Sequence, residues 1–173
     1  MFLAFFLVVP VFFYIITNTY SQSITLSEKK VIYDLPYAGI LPDNPFYILK
    51  QVRDSVQVFL TRDRMKKAEM LLLSSDKKIN MALQLSAKGK NKLMIETLVS
   101  AEKQSLRIPP LVVESKKQGV GPGEGLVYRL KLSNVKHREV AEELIKDLPQ
   151  GQEMEMNKVL ELNTQVKKQL EKL

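Results

Sequence analysis

Apolar residues recur at three- and four-residue steps along the chain from about residue 45, which is the spacing of one helix face. Such stripes predict helices over about 45–61, 64–88, 91–107 and 125–148, and a fifth from Met156 to Leu173. Alternating apolar and polar positions, the mark of strands, are almost absent. Because short connections between amphipathic helices favour antiparallel neighbours, the predicted fold class is all-α, an antiparallel helical bundle of four to five helices.

Local signals support these boundaries. Asn44 precedes Pro45 and is a typical helix cap, and Asp63 can cap the second helix, which Gly89 ends. Pro109 and Pro110 interrupt the third helix, and residues 111–118 are a candidate for a short helix after them. The glycine-rich stretch 119–125 then predicts a flexible helix connection.

The first 16 residues (MFLAFFLVVPVFFYII) are all apolar or aromatic, and no charge precedes Glu28. Their length fits the apolar region of a secretory signal peptide and, with residues 17–20, approaches a membrane span. Residues 21–44 hold two prolines, Pro36 and Pro42, without helical period, which predicts an extended tether. The expected organisation is therefore a hydrophobic N-terminal helix over 1–20 that is a signal peptide or membrane anchor, a Pro-rich tether over 21–44 and a bundle domain over 45–173.

The charge of the chain is unevenly distributed. Its 173 residues carry a net charge of +7. Residues 63–118 contain twelve Lys or Arg and six Asp or Glu, a net of +6, so this segment holds nearly all of the excess. At 100° per residue, four lysines of the second helix share a sector roughly 120° wide. They are the candidate contact with an anionic lipid or cell-wall polymer: Lys66, Lys67, Lys77 and Lys78.

No residue pattern indicates catalysis. Cysteine is absent and His137 is the only histidine, which disfavours thiolate chemistry and the paired Glu-x-x-His sites of di-iron bundles. His137 is therefore expected to be a structural or surface residue. The glycine-rich stretch lacks the Gly-Lys-Ser/Thr ending of a phosphate loop. We expect no catalytic residues, no metal ligands and no cofactor.

One stretch resembles a known family. Residues 35–50 (LPYAGILPDNPFYILK), then Phe59 to Thr61, Asp63 and residues 66–69 (KKAE), resemble the start of a bacterial helical domain of unknown function found in exported or membrane-anchored proteins. A weaker match covers residues 134–140, and the resemblance extends over about 34–173. Ala38 and Arg64 depart from it, since proline is usual at both positions. The resemblance implies export and an all-helical domain, and it implies no reaction.

Together these features favour a non-enzymatic extracytoplasmic module that acts in binding or structure at the cell envelope, membrane-anchored or secreted, with an envelope protein as a further candidate partner. Two alternatives stay open: an enzyme or metal-dependent bundle with an unrecognised site, and a basic cytoplasmic protein that binds nucleic acid. The leader and the scarcity of aromatic residues among the lysines disfavour nucleic acid. Lys29 and Lys30, under the positive-inside rule, would instead keep the domain in the cytoplasm.

Overall fold

The computed structural model describes residues 31–123, 125–149 and 151–173, and all regular secondary structure in these residues is helical. The predicted all-α class is confirmed. The hydrophobic helix predicted in residues 1–20 and the first part of the tether, residues 21–30, lie outside the described residues. The described helices are α1 (Tyr47–Leu60), α2 (Arg64–Ala87), α3 (Asn91–Ser105), α4 (Ile108–Lys117), α5 (Leu126–Lys146) and α6 (Glu153–Leu170).

The sixth helix results from the way α4 begins. The sequence predicted an interruption at Pro109 and Pro110, but α4 includes both prolines in its first turn. The first turn has no intrahelical acceptors for its N–H groups, so a proline there loses no hydrogen bond. α4 then runs as a separate short helix, and the glycine-rich stretch after it connects α4 to α5 as expected.

Capping fixes the start of α2 where the sequence predicts it. The carboxylate of Asp63 accepts hydrogen bonds from the backbone N–H groups of Met65, at 2.8 Å, and Lys66, at 3.1 Å. At the other end, Gly89 has a φ of +69°, a left-handed conformation that favours glycine. Because both ends of α2 are set locally, its lysines keep the register assumed from the sequence.

α2 is the central helix, and it packs against α3, α4 and α5. One half of it joins α3, α5 and α6 in a core around Ile79, Leu98 and Val140, and the other half joins α4, α5 and α6 around Leu71 and Ile108. The stripe predicted for the last helix ran from Met156 to Leu173. Its last member, Leu173, lies beyond the end of α6 and is only partly buried. The members within α6 are all buried: Met156, Val159, Asn163, Val166 and Leu170.

α1 differs from the other helices because it has no buried residue. The stripe that predicted it forms a helix as expected, but this stripe does not face the core. Leu49 is 67% exposed, Val52 57% and Phe59 82%. Periodicity identifies the residues that share a helix face, whereas the direction of that face depends on tertiary packing. The opposite face of α1, with Tyr47 and Val58, lies toward the body of the protein.

The described part of the predicted tether, residues 31–44, contains no helix and lies against the bundle. The Tyr33 hydroxyl donates a hydrogen bond of 2.6 Å to Asp76, and the Asn80 amide donates one of 2.9 Å to the carbonyl of Pro36. Ala38 is fully buried beside Met81. These contacts fix the path of the chain into α1 along the surface of α2.

Candidate functional site

A cavity of about 610 Å³ lies between the inner face of α1 and the neighbouring faces of α2 and α3. Its size is in the range of small-molecule binding sites. Positive charge dominates its walls, because they hold seven cationic side chains and one acidic side chain, that of Asp54. We call it the cationic groove, and its cations are Lys50, Arg53, Lys67, Lys77, Lys78, Lys103 and Arg107.

The one acidic side chain of the groove is already paired. The Arg53 guanidinium donates two hydrogen bonds to the Asp54 carboxylate, at 3.0 and 2.7 Å. The Lys50 ammonium group instead donates to the carbonyl of Ala38, at 3.2 Å, and lies 5.7 Å from the ring centre of Tyr47. Burial lowers the pKa of Lys50. The negative charge of Asp54 raises this pKa, and the positive charges of Lys77 and Arg53 lower it. Excess positive charge therefore faces the cavity.

Lys78 is the most strongly perturbed cation of the groove. Its ammonium group donates a hydrogen bond of 2.9 Å to the Ser100 hydroxyl. Within the described ranges, no carboxylate lies within ion-pair distance of it. Burial, followed by the positive charges of Lys50 and Arg107, lowers the pKa of Lys78 to about 8. A desolvated ammonium group beside like charges is stabilised by any anion that enters the cavity.

The structure brings together three of the four lysines singled out in the sequence. Lys67, Lys77 and Lys78 line the groove, whereas Lys66 is exposed and does not line it. The four other cations, Lys50, Arg53, Lys103 and Arg107, were not predicted from the sequence. Lys103 and Arg107 belong to the +6 segment and could have been found by its charge. The two cations of α1 carried no such signal, because that helix was expected to pack its apolar stripe on the bundle.

A second polar cluster lies inside the bundle, where α2, α3, α5 and α6 meet. His137 is 1% exposed and sits between two buried carboxylates. Its Nε2 atom is 2.9 Å from Asp76 and its Nδ1 atom is 3.1 Å from Glu102. Burial alone lowers the pKa of His137, but the hydrogen bonds and charges of the two carboxylates outweigh it and raise this pKa to about 9. The imidazole is therefore protonated near neutral pH and donates to both.

Ser133, His137 and Glu102 have the connectivity of a serine nucleophile, a histidine base and an orienting carboxylate. The Ser133 hydroxyl oxygen lies 3.2 Å from Nε2 of His137, but it donates its hydrogen bond, of 2.6 Å, to Asp76. A protonated imidazole cannot accept the serine proton, and the three side chains are all buried. In this arrangement His137 forms buried ion pairs with Asp76 and Glu102. Of the two expected kinds of residue, structural or surface, His137 is therefore the structural one.

The part of the chain that the structure describes contains neither a cluster of metal ligands nor a helix suited to crossing a membrane. In the ranges given above, no group of three or more His, Asp or Glu side chains is placed to hold a metal ion. None of the helices among these residues combines the length and the apolar character that a membrane span requires. The apolar segment of residues 1–16 lies outside them.

The fold and the groove define a small helical-bundle module with a cationic groove on its surface. Residues 39–173 match the family described as Domain of unknown function (DUF5667), and the chain belongs to this family. The resemblance found in the sequence, to a helical domain of unknown function, agrees with this membership. No curated protein and no solved structure matches the chain.

Proposed function

We propose that this protein is a non-enzymatic helical module, anchored in or released from the membrane, that binds an anionic component of the cell envelope in the cationic groove. The observation that carries the proposal is the composition of the groove, with seven cations and a single acid that is already paired with Arg53. A ligand with several phosphate or carboxylate groups would supply the missing negative charge.

The stability of the fold does not explain these cations. Placing Lys78 beside Lys50 and Arg107 without a carboxylate costs free energy, as the lowered pKa of Lys78 shows. Such an arrangement is typical of sites where charge is arranged for a ligand. Anionic lipid and anionic wall polymer both have the required chemistry, and the apolar leader and the resemblance to exported or membrane-anchored proteins favour an envelope ligand over nucleic acid.

Inorganic polyphosphate is a suitable probe, because it presents regularly spaced phosphates without bases or acyl chains. Substitution of Lys77→Gln together with Lys78→Gln should weaken its binding to the full chain, held in uncharged detergent micelles, by about 30-fold. This corresponds to about 1 kcal/mol for each lysine at low salt. Fluorescence anisotropy of labelled polyphosphate measures the change. Binding should also weaken between about 20 and about 150 mM salt as the Debye length shortens.

A matched control distinguishes binding in the groove from attraction by the overall charge of the protein. Lys131→Gln with Lys158→Gln removes the same charge from two exposed residues that do not line the cavity. We expect this control to change binding less than about threefold. Equal losses in the two double variants would contradict the groove as the binding site. Tighter binding of a single-stranded oligonucleotide of equal charge would favour the nucleic-acid alternative.

The proposed location has its own test. In cells that express the full chain with a C-terminal tag, protease added to intact spheroplasts should digest the tagged domain. The expectation rests on the uncharged leader and on the family resemblance, and the positive-inside rule applied to Lys29 and Lys30 opposes it. Protection of the tag until the spheroplasts are lysed would place the domain in the cytoplasm.

A further inference from the structure

α1 has two faces of different chemistry. Its inner face lines the cationic groove through Lys50 and Asp54. At 100° per residue, the apolar side chains of α1 occupy a sector roughly 120° wide on the opposite side. These side chains are all about half exposed or more: Ile48, Leu49, Val52, Val56, Phe59 and Leu60. Phe59, near one edge of this sector, also borders the groove. We call them the outer face of α1.

The outer face concentrates the exposed apolar surface of the molecule. Of the fifteen large exposed hydrophobic residues in the described ranges, seven lie between Phe46 and Leu60. Scattered apolar residues are normal on a protein surface, but a contiguous apolar patch marks an interaction site. An apolar face opposite a cationic face on a single surface helix is the pattern of helices that lie in the membrane interface.

We infer that the outer face of α1 docks on a lipid bilayer with anionic headgroups, with the helix lying parallel to the membrane surface. This inference rests on the proposed function, because it takes residues 1–16 as a membrane anchor. Fourteen residues, 17–30, separate that segment from Val31, and they span at most about 48 Å. An anchor at this distance keeps α1 close to the bilayer and so raises its effective concentration there.

The charges next to α1 match such a surface. Arg62 lies two residues after the C-terminal end of α1 and Lys66 lies in the first turn of α2, and both are exposed. The exposed Asp63 between them caps α2. Cations near an anionic bilayer contribute to binding, and apolar side chains from one helix face enter the boundary between headgroups and acyl chains. Because a helix is only about 10 Å across, docking would bring the cationic groove close to the membrane surface. The exposed Lys66, outside the groove, would contact headgroups.

A single tryptophan can test this inference, because the chain contains none. Phe59→Trp places the probe on the outer face, where Phe59 is 82% exposed, and Tyr128→Trp places a control on α5 at a residue that is 66% exposed. Each full-chain variant is reconstituted in anionic vesicles with brominated acyl chains. The emission of Phe59→Trp should shift to the blue and be quenched about twofold relative to unbrominated vesicles, and that of Tyr128→Trp should stay unquenched.

A second pair of substitutions removes apolar side chains from the outer face without changing the fold. Val52→Gln with Val56→Gln, introduced into Phe59→Trp, should abolish the quenching without changing the far-ultraviolet circular dichroism, since neither valine is buried. Quenching of equal size in vesicles of phosphatidylcholine alone would overturn the anionic part of the inference.

Flotation of the vesicles distinguishes docking of α1 on the bilayer from anchoring of the chain by residues 1–16. A chain that floats with the vesicles while its Phe59→Trp variant emits like Tyr128→Trp would overturn docking and leave the anchor standing. A blue shift without quenching, which disappears on dilution, would assign the outer face to a second copy of the chain and overturn docking too. A chain that does not float would overturn the anchor and the docking together.

Discussion

Replacement of His137 by leucine should lower the free energy of unfolding by about 3 to 5 kcal/mol. The imidazolium of His137 lies between the carboxylates of Asp76 and Glu102, at 2.9 and 3.1 Å, in the buried centre of the bundle. Leucine fills a similar volume but leaves two buried carboxylates without a counter-charge. Urea unfolding followed by circular dichroism at pH 6 measures the loss.

A control variant removes the charges of both carboxylates together with that of the imidazolium. Asp76→Asn with Glu102→Gln, added to His137→Leu, should recover at least half of the lost stability, because a buried ionic set is costly mainly when one partner is missing. Asn163 donates to Glu102 at 3.4 Å and Ser133 to Asp76 at 2.6 Å, and both can donate equally to amide oxygens. A His137→Leu protein within about 1 kcal/mol of the wild type would show that the imidazolium does not stabilise the bundle.

Secondary structure was the feature of this protein that the sequence predicted best. The structure confirms the ends of α2, because the side chain of Asp63 and the conformation of Gly89 act within a few residues of the chain. The stripe of α6 was also correct from Met156 to Leu170, and only its last predicted member, Leu173, lies beyond the helix. Both results depend on local periodicity and capping, which a single sequence contains in full.

The role of α1 could not be predicted in the same way. Its stripe has the same spacing as those of the buried helices, and only the packing of the whole molecule shows that Leu49 and Val52 point outward. The groove follows from that orientation, since Lys50 and Arg53 reach the lysines of α2 only when the polar face of α1 is turned inward. The sequence therefore identified the α2 lysines of the groove and missed the cations of α1 together with Lys103 and Arg107.

One residue of the buried polar cluster could have been recognised from the sequence. Asn163 occupies the centre of the apolar stripe of α6, and a polar residue at a core position needs a polar partner from another helix. Its amide donates to the backbone carbonyl of Asn134 at 2.9 Å and to Glu102 at 3.4 Å. The sequence could show that a partner was required, but Asp76, Glu102 and His137 are far apart along the chain and meet only through tertiary packing.

The same cluster should make stability depend on pH. The pKa of His137 is about 9 in the folded protein and 6.5 in the unfolded chain, so its contribution to stability is complete below pH 6.5. As pH rises from 6.5 to 9, the unfolded chain loses this proton before the folded protein does, and the contribution disappears. The full loss is about 3 kcal/mol, at about 1.4 kcal/mol per pH unit within the window.

The titration of Lys78 changes stability in the opposite direction to the titration of His137. The two contributions therefore have to be measured separately. The pKa of Lys78 is about 8 when folded and 10.5 when unfolded, so the folded protein loses this proton first and stability rises between pH 8 and 10.5. Urea unfolding of Lys78→Gln at pH 6 and pH 9 therefore removes this opposing contribution, and a decrease of about 3 kcal/mol is expected from His137. The same measurement on Lys78→Gln with His137→Leu should show no such decrease. A decrease that persists without the histidine would show that another group titrates in this range.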